Sequence, residues 1–401
     1  MNCITENLST KVEGTYDVAV CGGGIAGIAA ALAAARNGAK TVLFERQFML
    51  GGLGTAGLIT IYLPLCDGYG RQVSFGLAEE LLRQSIRDGA EDKYPDNWLD
   101  ADGPRTREDK RYQVRYNAQL FAIRAEQMLL EAGVNLLYGT YAVGTEVREG
   151  KITHLITENK SGRRAWQVKS VVDATGDADV ALLAGVPTAT FGAGNIPAGW
   201  YYSTGKEGYA LHMVGALDPE SWAKAREKVA GKTVLLGLDG QELSDYMHTS
   251  HMRTYADFCR RREQDPTFFP VTMATVPQLR MTRRIKGAYE LDESEVHTRF
   301  ADSVGMVSDW RNRGPVFEVP FGTLYAPEVK NLITAGRCTS VTDSMWDIMR
   351  VIPCCSVTGQ AAGTAAAMSD DFTALDVAQL QTKLARDGVV LHEDELTAPI
   401  Q

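Results

Sequence analysis

An arginine-rich segment near residue 280 carries side chains that are suited to bind a small anion. Arg280, Arg283 and Arg284 fall within a stretch that reads Gln-Leu-Arg-Met-Thr-Arg-Arg-Ile-Lys-Gly from 278 to 287. Guanidinium groups bind carboxylates through two parallel hydrogen bonds, and they stay charged beside a reduced, anionic group. A run of charges is commonly a solvated face, but apolar residues interrupt this one. We therefore expect anion contacts here, with Arg283 and Arg284 as the candidates.

A glycine-rich turn near the start of the chain is typical of dinucleotide binding. It reads Gly22-Gly-Gly-Ile-Ala-Gly27 and lies directly between a predicted strand and a predicted helix. Gly22 permits the tight turn, Gly24 lets the backbone approach a diphosphate, and Gly27 lets the helix pack against the strand. The N–H groups at the start of the helix, including those of Ile25 and Ala26, would hold the diphosphate.

The second predicted strand ends at Glu45, which is followed by Arg46. A carboxylate at this place can accept hydrogen bonds from both hydroxyl groups of a ribose, and it repels a 2′-phosphate. The turn and the acid together predict a cofactor that contains ADP. They do not distinguish NAD from FAD, because both cofactors use this unit.

Three later glycine-rich segments favour FAD. The loop from 51 to 57 can wrap a diphosphate and a ribityl chain with backbone amides, and its threonine adds a hydroxyl donor. Two further strands end in small residues, which let the backbone touch a cofactor. The candidate cofactor contacts in these segments are Gly51, Gly52, Thr55, Ala174, Thr175, Gly176, Asp177, Gly336 and Arg337.

A last glycine-rich segment, Gly359-Gln-Ala-Ala-Gly363, is predicted to open a helix near the C-terminus. The N-terminus of a helix, when it is aimed at the pyrimidine side of a flavin, would stabilise the anionic reduced form by about 0.3–1 kcal/mol. Gly359, Gln360, Ala361 and Ala362 are therefore candidate cofactor contacts as well.

Alternating strands and helices must position these residues. The opening unit is a strand, a helix and a second strand, and a meander of three β-prone segments follows in the middle of the chain. The predicted strands are 17–21, 40–44, 134–138, three segments between 141 and 169, 171–174 and 329–335, and the predicted helices are 25–37, 75–87, 117–132, 359–368 and 375–387.

Six segments follow one another along the chain in this order: the first glycine turn, Glu45-Arg46, Gly51-Gly52, Val172–Asp177, Ala335–Cys338 and Gly359–Gly363. This ordered set resembles the FAD-dependent oxidoreductases related to the fumarate reductase and succinate dehydrogenase flavoprotein superfamily, and the resemblance covers nearly the whole chain. It implies an enzyme that uses FAD, and we expect this FAD to be bound non-covalently.

The resemblance also implies positions for individual residues. It places Ala142 and Val143 near the adenine and Asp177 near the ribityl chain or the diphosphate. It places Gly336, Arg337 and the segment from Gln360 to Ala362 on the flavin side. Arg350 stands where related enzymes carry an arginine that faces the substrate. Asp343 stands where relatives often have a histidine, which puts a proton-transfer role at that place in doubt.

The predicted fold class is α/β. We expect a Rossmann-like FAD-binding domain of the glutathione-reductase type with a β-meander, and an inserted α+β cap domain that carries the substrate. The FAD-binding domain is expected to comprise residues 1–60, 112–190 and 315–372. The cap is expected in residues 61–111 and 191–314, and a C-terminal helix and tail in residues 373–401.

Composition narrows the class of partner. The chain has 41 Lys and Arg against 50 Asp and Glu, a net charge of −9, which argues against a nucleic-acid surface. Residues 1–15 lack the pattern of a secretion signal, and the run of small apolar residues from 25 to 35 is too short to span a bilayer. We therefore expect a cytoplasmic protein without membrane insertion.

Metal and disulfide chemistry are not expected. The seven cysteines contain no C-x-x-C pair. His248 and His251 lie three residues apart, but no further ligand set accompanies them, so a surface pair is the favoured interpretation. Gly192-Ala-Gly194 is predicted to be a loop and not a second nucleotide turn, because proline and aromatic residues follow it.

The predicted function is hydride transfer between a small substrate, anionic or polyhydroxylated, and flavin N5. Arg283, Arg284 and Arg350 are the predicted catalytic residues, and an external electron acceptor or donor is implied. An FAD enzyme without net redox, such as a hydratase or isomerase, is the alternative. The sequence leaves the substrate, the reaction direction, the electron partner and the oligomeric state open.

Overall fold

We describe the fold from a computed structural model. The structure describes residues 3–95, 98–99, 111–215 and 235–396. The strands in these ranges are β1 (Lys11–Cys21), β2 (Thr41–Phe44), β3 (Ile61–Tyr62), β4 (Val114–Arg115), β5 (Asn135–Leu137), β6 (Tyr141–Arg148), β7 (Lys151–Asn159), β8 (Gly162–Asp173), β9 (Thr188–Thr190), β10 (Gly199–Thr204), β11 (Ala210–Val214), β12 (Phe269–Met273), β13 (Arg283–Ile285), β14 (Ser303–Ser308), β15 (Val316–Pro320) and β16 (Leu332–Thr334).

The α-helices in the same ranges are α1 (Ile25–Arg36), α2 (Leu77–Ile86), α3 (Ala118–Glu131), α4 (Asp179–Leu183), α5 (Gly240–Gln264), α6 (Asp343–Met349), α7 (Ile352–Met368) and α8 (Val377–Arg386). Short 3-10 turns include Gly52–Gly54 and Gly336–Cys338. The chain is a mixed α/β protein, as predicted.

A parallel sheet forms the centre of the fold, in the order β5, β2, β1, β8 and β16. Residues 18–21 of β1 and all of β2 are buried, as expected where both faces of a parallel sheet are covered. Strands β1, β8 and β16 end side by side at Cys21, Asp173 and Thr334. Because ligands of open parallel sheets bind beyond the carboxyl ends of the strands, this edge is where the site is expected.

The antiparallel meander is confirmed. β6 pairs with β7 and β7 pairs with β8, with turns between them at 149–150 and 160–161. The strand predicted at 171–174 is the continuation of β8, which leaves the meander and enters the parallel sheet. Ala142 and Val143 are half-buried on β6.

Helices α1 and α7 cross in close contact beneath the sheet edge. A Cβ at Gly359 would lie 2.3 Å from the carbonyl oxygen of Ala26, and one at Gly363 would lie 2.0 Å from that of Ala30. Glycine is required at both positions of α7, because the two backbones approach too closely for any side chain.

The helix predicted to open at Gly359 begins seven residues earlier, so this prediction is wrong. α7 runs from Ile352 to Met368, with Val351 as its N-cap and Pro353 in its first turn. Proline is well tolerated there because the first N–H groups of a helix have no partner within the helix. Gly359 marks a helix–helix contact in the middle of α7, and glycine in such a place imitates the sequence pattern of a helix start.

A smaller antiparallel sheet, in the order β11, β10 and β12, packs against the long helix α5. Trp200 and Tyr202 of β10 are buried with Leu58 and Ala274 in a separate apolar cluster. The surface excursion predicted for residues 88–111 lies largely outside the described residues, as does the stretch 216–234 that follows β11. The domain boundaries remain predictions.

Candidate active site

The glycine turn after β1 is packed against the end of β8. Gly22 has a φ of 99°, and a Cβ there would lie 2.5 Å from the carbonyl oxygen of Ala174. A Cβ at Gly27 would lie 1.8 Å from the carbonyl oxygen of Gly22. These two glycines are therefore required by the packing of the protein itself.

Gly24 differs from its neighbours, because a Cβ there would meet no described atom within 4 Å. It is the N-cap of α1, and no side chain caps the free N–H groups of this helix. The second glycine loop runs alongside, since the Gly51 N–H donates to the Gly23 carbonyl at 2.8 Å. A Cβ at Gly52 would lie 3.3 Å from the Gly24 Cα. This cradle of bare backbone and free N–H groups fits a diphosphate.

Glu45 is buried at the end of β2 and is 5% exposed. Its carboxylate accepts hydrogen bonds from the N–H groups of Gly23, at 2.5 Å, and Gln47, at 2.6 Å. Burial raises the pKa of Glu45, and these two hydrogen bonds oppose the rise. Arg46 is exposed. Glu45 therefore joins the glycine turn to the end of β2, the place expected for a ribose.

Thr55 does not offer its hydroxyl to the site. Its side chain is fully buried, and its Oγ1 donates to the carbonyl of Leu50 within its own loop. A Cβ at Gly51 would collide with this side chain. The prediction of a free hydroxyl donor is wrong for this residue, because the loop uses the group to hold its own conformation.

The turn from Ala174 to Asp177 connects the end of β8 to two other segments. The Asp177 carboxylate accepts a hydrogen bond from Thr282 Oγ1 at 2.7 Å and lies 3.4 Å from the Arg337 Nη2. Thr175 Oγ1 donates to Asp173 at 2.6 Å, and Gly176, with a φ of 83°, leaves room for the Arg337 side chain. Asp177 therefore joins the sheet edge to the arginine segment.

The turn that follows β16 lies against the start of α1. Gly336 has a φ of 73°, and a Cβ there would lie 2.9 Å from the Cβ of Ala26. The Gly336 N–H donates to Thr358 Oγ1 at 3.0 Å, and the Arg337 Nη1 donates to the Leu279 carbonyl at 2.7 Å. The structure thus brings 336–337 and 174–177 together, although about 160 positions separate them.

The segment 359–362 packs between helices. Gln360 Oε1 accepts a hydrogen bond from the Leu77 N–H at 2.7 Å, and its Nε2 donates to the Asp387 carbonyl at 3.3 Å. Ala361 and Ala362 are fully buried. These contacts give the segment a structural role among α1, α2 and the end of α8. They do not support the predicted cofactor contacts.

Arg283 and Arg284, both predicted to be catalytic, are bound to carboxylates of the protein. Arg283 donates to the Asp177 carbonyl at 2.8 Å and to the Asp179 carboxylate at 2.6 Å. Arg284 donates to Asp343 at 2.9 Å and lies over the Trp346 ring at 4.7 Å. Both guanidinium groups therefore fasten β13 to its neighbours, and their positive charges are neutralised.

Arg350 is the C-cap of α6 and is paired with Asp347, one turn earlier. Its Nε donates to Asp347 Oδ1 at 2.9 Å, and its guanidinium lies 5.9 Å from the centre of the Trp310 ring. Asp347 also lies 3.7 Å from Arg311. Arg350 is therefore held in a fixed position with its charge compensated.

Arg280 is the arginine of the segment that has no carboxylate partner among the described residues. It is 9% exposed, and its one side-chain hydrogen bond, from Nη1 to the Gln278 carbonyl, is long at 3.4 Å. Burial, with the positive charges of Arg350 and Arg337, lowers the pKa of Arg280 to about 9. The group is still protonated at neutral pH, so it carries an uncompensated buried charge.

From the sequence alone, Arg280 cannot be ranked above Arg283 and Arg284. All three share one short run, and the acids that neutralise two of them come from positions 177–179 and 343. A buried charge without a partner is costly and is retained where a ligand completes it. Arg280 is therefore the strongest candidate in the run for contact with an anion.

Other parts of the described chain add little chemistry. No group of three or more His, Cys, Asp or Glu that could hold a metal ion occurs in these residues. Gly192–Gly194 forms a turn in a loop, as predicted. Within the same residues, no helix combines the length and the apolar character that crossing a membrane requires.

Comparison with known proteins gives one family match. Residues 17–199 and 202–384 match the model of the FAD dependent oxidoreductase family. A search of curated proteins found no match.

Solved structures similar to the chain include three with 14% identity. They are a geranylgeranyl bacteriochlorophyll reductase-like protein from Thermoplasma acidophilum (93% of this chain, 83% of that chain, TM-score 0.41), the Mycobacterium smegmatis Sdh1 complex (91%, 70%, 0.45) and a flavocytochrome c3 fumarate reductase (90%, 79%, 0.42).

Proposed function

The chain belongs to the FAD dependent oxidoreductase family and is an enzyme that uses FAD, and from this premise we propose that it transfers a hydride between a small anionic organic substrate and the flavin. The observation that carries the proposal is Arg280, a buried guanidinium without a carboxylate partner among the described residues. Its segment is fastened to the turns that follow β8 and β16, whose ends lie beside the end of β1.

We propose that the cradle holds the ADP half of FAD. Gly24 and Gly52 would face the diphosphate, the N–H groups of Ile25 and Ala26 would donate to it, and Glu45 would accept from the ribose. The open space at Gly24 supports this assignment, because it is the one glycine of the turn that the protein's own packing leaves bare. When bound, FAD supplies a flavin that accepts or releases a hydride at N5.

Further cofactor contacts are proposed at the turns that join the sheet edge. Residues 174–177 and 336–337 would lie along the ribityl chain and the flavin, and Ala142 and Val143 near the adenine. The support for the turns is their small residues and positive φ values at Gly176 and Gly336, which allow a close approach of backbone to a ligand. We retain the predicted division into an FAD-binding domain of the glutathione-reductase type and an inserted cap as part of this proposal.

Arg280 would hold the anionic group of the substrate. Guanidinium binds a carboxylate with two hydrogen bonds in a fixed orientation, which places the rest of the substrate. Arg350 and Arg337 add positive potential at the same place, since both lower the pKa of Arg280. Their own charges are compensated by Asp347 and Asp177, so the site as a whole carries about one positive charge to be neutralised.

Low exposure would keep water away from the bound anion. Arg280, Trp200 and Gln278 are each less than one-tenth exposed. In a dry site the interaction between the guanidinium and an anion is stronger than in water. Arg280 therefore both selects a charged substrate and fixes its orientation.

The first experiment is an anaerobic screen. The purified protein should be yellow, and one member of a panel of carboxylic acids should bleach the flavin, or an unsaturated acid should reoxidise the reduced flavin. Sugars and uncharged amines should do neither. A colourless protein that cannot be reconstituted with FAD would contradict the proposal, and a flavin that never changes redox state during turnover would favour a hydratase or isomerase.

The second experiment is Arg280→Met with the substrate found in the screen. We expect KM to rise by about 100-fold or more, because removing one partner of a buried charge pair costs roughly 2–5 kcal/mol. Arg299→Met, at a side chain that is 57% exposed, is the matched control and should leave KM unchanged. An unchanged KM in Arg280→Met would place the anion elsewhere.

A further inference from the structure

Trp200 has a buried indole N–H without an acceptor. The residue lies on β10 and is 6% exposed, and its Nε1 has no hydrogen-bond partner among the described residues. Its backbone N–H, by contrast, donates to Gln278 Oε1 at 3.2 Å. Indole is a donor only, and a buried donor without an acceptor costs about 1–3 kcal/mol. This N–H therefore lacks a partner that a ligand could supply.

Other tryptophans show how unusual this is. The indole N–H groups of Trp166, Trp310 and Trp346 donate at 2.8, 3.0 and 2.9 Å to oxygens of the protein. Trp98 likewise has no acceptor among the described residues. Trp200 belongs to the apolar cluster that contains Leu58.

The guanidinium of Arg280 lies over the Trp200 ring, with its Cζ 5.3 Å from the ring centre. Nε1 belongs to that ring, so the indole N–H and the guanidinium are neighbours. Both are donors and neither can accept. One acceptor group at this place could therefore satisfy the orphan indole and the unpaired cation together.

Charge decides what kind of acceptor this is. Asp347, whose charge acts on Arg280, is hydrogen-bonded to Arg350 through Oδ1 and lies 3.7 Å from Arg311 through Oδ2, which has no hydrogen-bond partner among the described residues, and it forms no ion pair with Arg280. The hydroxyl groups of a polyol could accept from Trp200 but would leave the charge of Arg280 buried and uncompensated, which is the more costly deficit. A single negative charge spread over two oxygens would accept the indole hydrogen bond and also neutralise the guanidinium.

The pair is fixed beside the glycine loop. Gln278, 2% exposed, accepts from the backbone of Trp200 with one end of its amide and donates to the Gly57 carbonyl with the other. The Thr275 N–H donates to the Ala56 carbonyl at 2.9 Å. The two donors are thus held next to the loop that is proposed to contact the cofactor.

We infer that Trp200 and Arg280 form one two-donor site for a carboxylate, and that the two donors together restrict the substrate to carboxylic acids. The inference rests on the proposed function for the identity of the ligand as substrate. The indole N–H binds one carboxylate oxygen and the guanidinium binds the group as an ion pair. An uncharged amide or a polyol satisfies at most the first donor.

The test measures binding and does not require turnover. The holoenzyme labelled with ¹⁵N at its tryptophan indoles is titrated with sodium acetate, acetamide and inorganic phosphate. The Trp200 signal, assigned by its loss in Trp200→Phe, should move with acetate and stay in place with acetamide. The Trp166 signal is the internal control, because its N–H already has an acceptor in Thr157.

Variants then separate the two donors. Trp200→Phe keeps an aromatic ring under Arg280 and should raise the Kd for acetate by about tenfold, the loss of one hydrogen bond to a charged group. Trp166→Phe should leave that Kd unchanged. Arg280→Met should abolish measurable acetate binding, and folding of each variant is checked by its thermal unfolding and flavin spectrum.

Three results would overturn the inference: equal acetate affinity in Trp200→Phe and the parent protein, a Trp200 signal that acetamide moves as far as acetate does, or tighter binding of phosphate than of acetate. Flavin reduction by the screened substrate is scored separately. Acetate binding without any flavin reduction would contradict the proposed function alone. Flavin reduction by an uncharged substrate, with no acetate bound, would contradict the carboxylate site.

Discussion

The glycine turn after β1 and the arginine segment from 278 to 284 differ in the feature that suits each of them to bind a ligand. In the turn, what matters is the absence of side chains: Gly22 and Gly27 are bare because the backbone is packed against them, and Gly24 is bare with open space beyond it. In the arginine segment, all three guanidinium groups are present and their neighbours decide what each does. Arg283 and Arg284 meet carboxylates, and Arg280 meets none in the described chain.

The difference teaches how two kinds of site are encoded. The turn can be recognised from a few consecutive residues, because its glycine spacing alone predicts it, although Gly22 packs against Ala174 and Gly23 against Glu45. In the arginine segment, the role of each side chain depends on its contact partner. These partners are Asp177, Asp179, Asp343 and Trp200, which are far apart in the chain. Substitutions can test each half of this comparison.

The largest effects, on folding stability and on FAD affinity, are expected when alanine replaces Gly27 or Gly24. Gly27→Ala brings a Cβ to 1.8 Å from the Gly22 carbonyl oxygen and should cost about 3 kcal/mol or more of folding free energy. Gly24→Ala meets no described atom, so the apoprotein should unfold at the parent temperature while the Kd for FAD rises by about 100-fold, since a close backbone approach is lost.

Thermal unfolding of the two apoproteins and a fluorescence titration with FAD measure these outcomes. Equal stability losses in the two variants would show that Gly24 is also a packing glycine. Parental FAD affinity in Gly24→Ala would remove the diphosphate from this place.

A second contrast is Arg280→Met against Arg284→Met in the substrate-free protein. Arg284→Met leaves Asp343 and Glu290 without their ion-pair partner and removes the cation that lies over the Trp346 ring. The free energy of unfolding should therefore fall by about 1–2 kcal/mol. The loss is no larger because both acids are half exposed, and solvent weakens exposed ion pairs. Arg280→Met removes an uncompensated buried charge and should leave stability unchanged or raise it by about 1 kcal/mol. Urea unfolding of both variants decides, and a larger loss in Arg280→Met would reveal a partner for Arg280.

A substitution at Glu45 tests whether this carboxylate contributes to FAD binding. The Gly23 N–H and the Gln47 N–H each donate to one oxygen of Glu45. In Glu45→Gln one of these oxygens becomes an NH₂ group, which cannot accept, so one N–H loses its partner and the Kd for FAD should rise by about tenfold. In the parent protein, FAD affinity should fall as pH drops through the pKa of Glu45, which burial raises above its ordinary value of 4.5. The glutamine variant should lack this dependence. FAD titrations between pH 4 and pH 8 measure both, and parallel curves would exclude Glu45 from the site.

The smallest effect concerns Asp179, the partner of Arg283. Burial, together with the negative charges of Asp177 and Asp173, raises the pKa of Asp179 to about 6 from an ordinary 3.8. The folded state therefore keeps this proton after the unfolded state has lost it, and the parent should lose stability relative to Asp179→Asn as pH rises from about 4 to about 6. The side chain is 41% exposed, so solvent screening keeps the change small. Thermal unfolding of both proteins across this range is the measurement, and a constant difference would refute the shift.

Most of the cofactor half could be predicted from the sequence. The strand–turn–helix unit, the acid at the end of β2, the meander and the ordered glycine segments all depend on local patterns of period and small residues. Thr55 and Gly359 were predicted wrongly for a related reason. A hydroxyl in a glycine loop and a glycine in a helix look the same in sequence whether they face a ligand or the protein, and only the Leu50 carbonyl and helix α1 distinguish the two cases.

The sequence by itself predicted a dinucleotide cofactor at the end of a parallel sheet, because glycine spacing and strand–helix alternation are properties of neighbouring residues. Tertiary structure alone decided which arginine is left without an acid, and it placed the unpartnered indole of Trp200 beneath that arginine. The physical reason is that burial and charge compensation depend on distances between segments that are remote in sequence. A run of arginines in the sequence contains none of those distances, which are set only when the remote segments pack together.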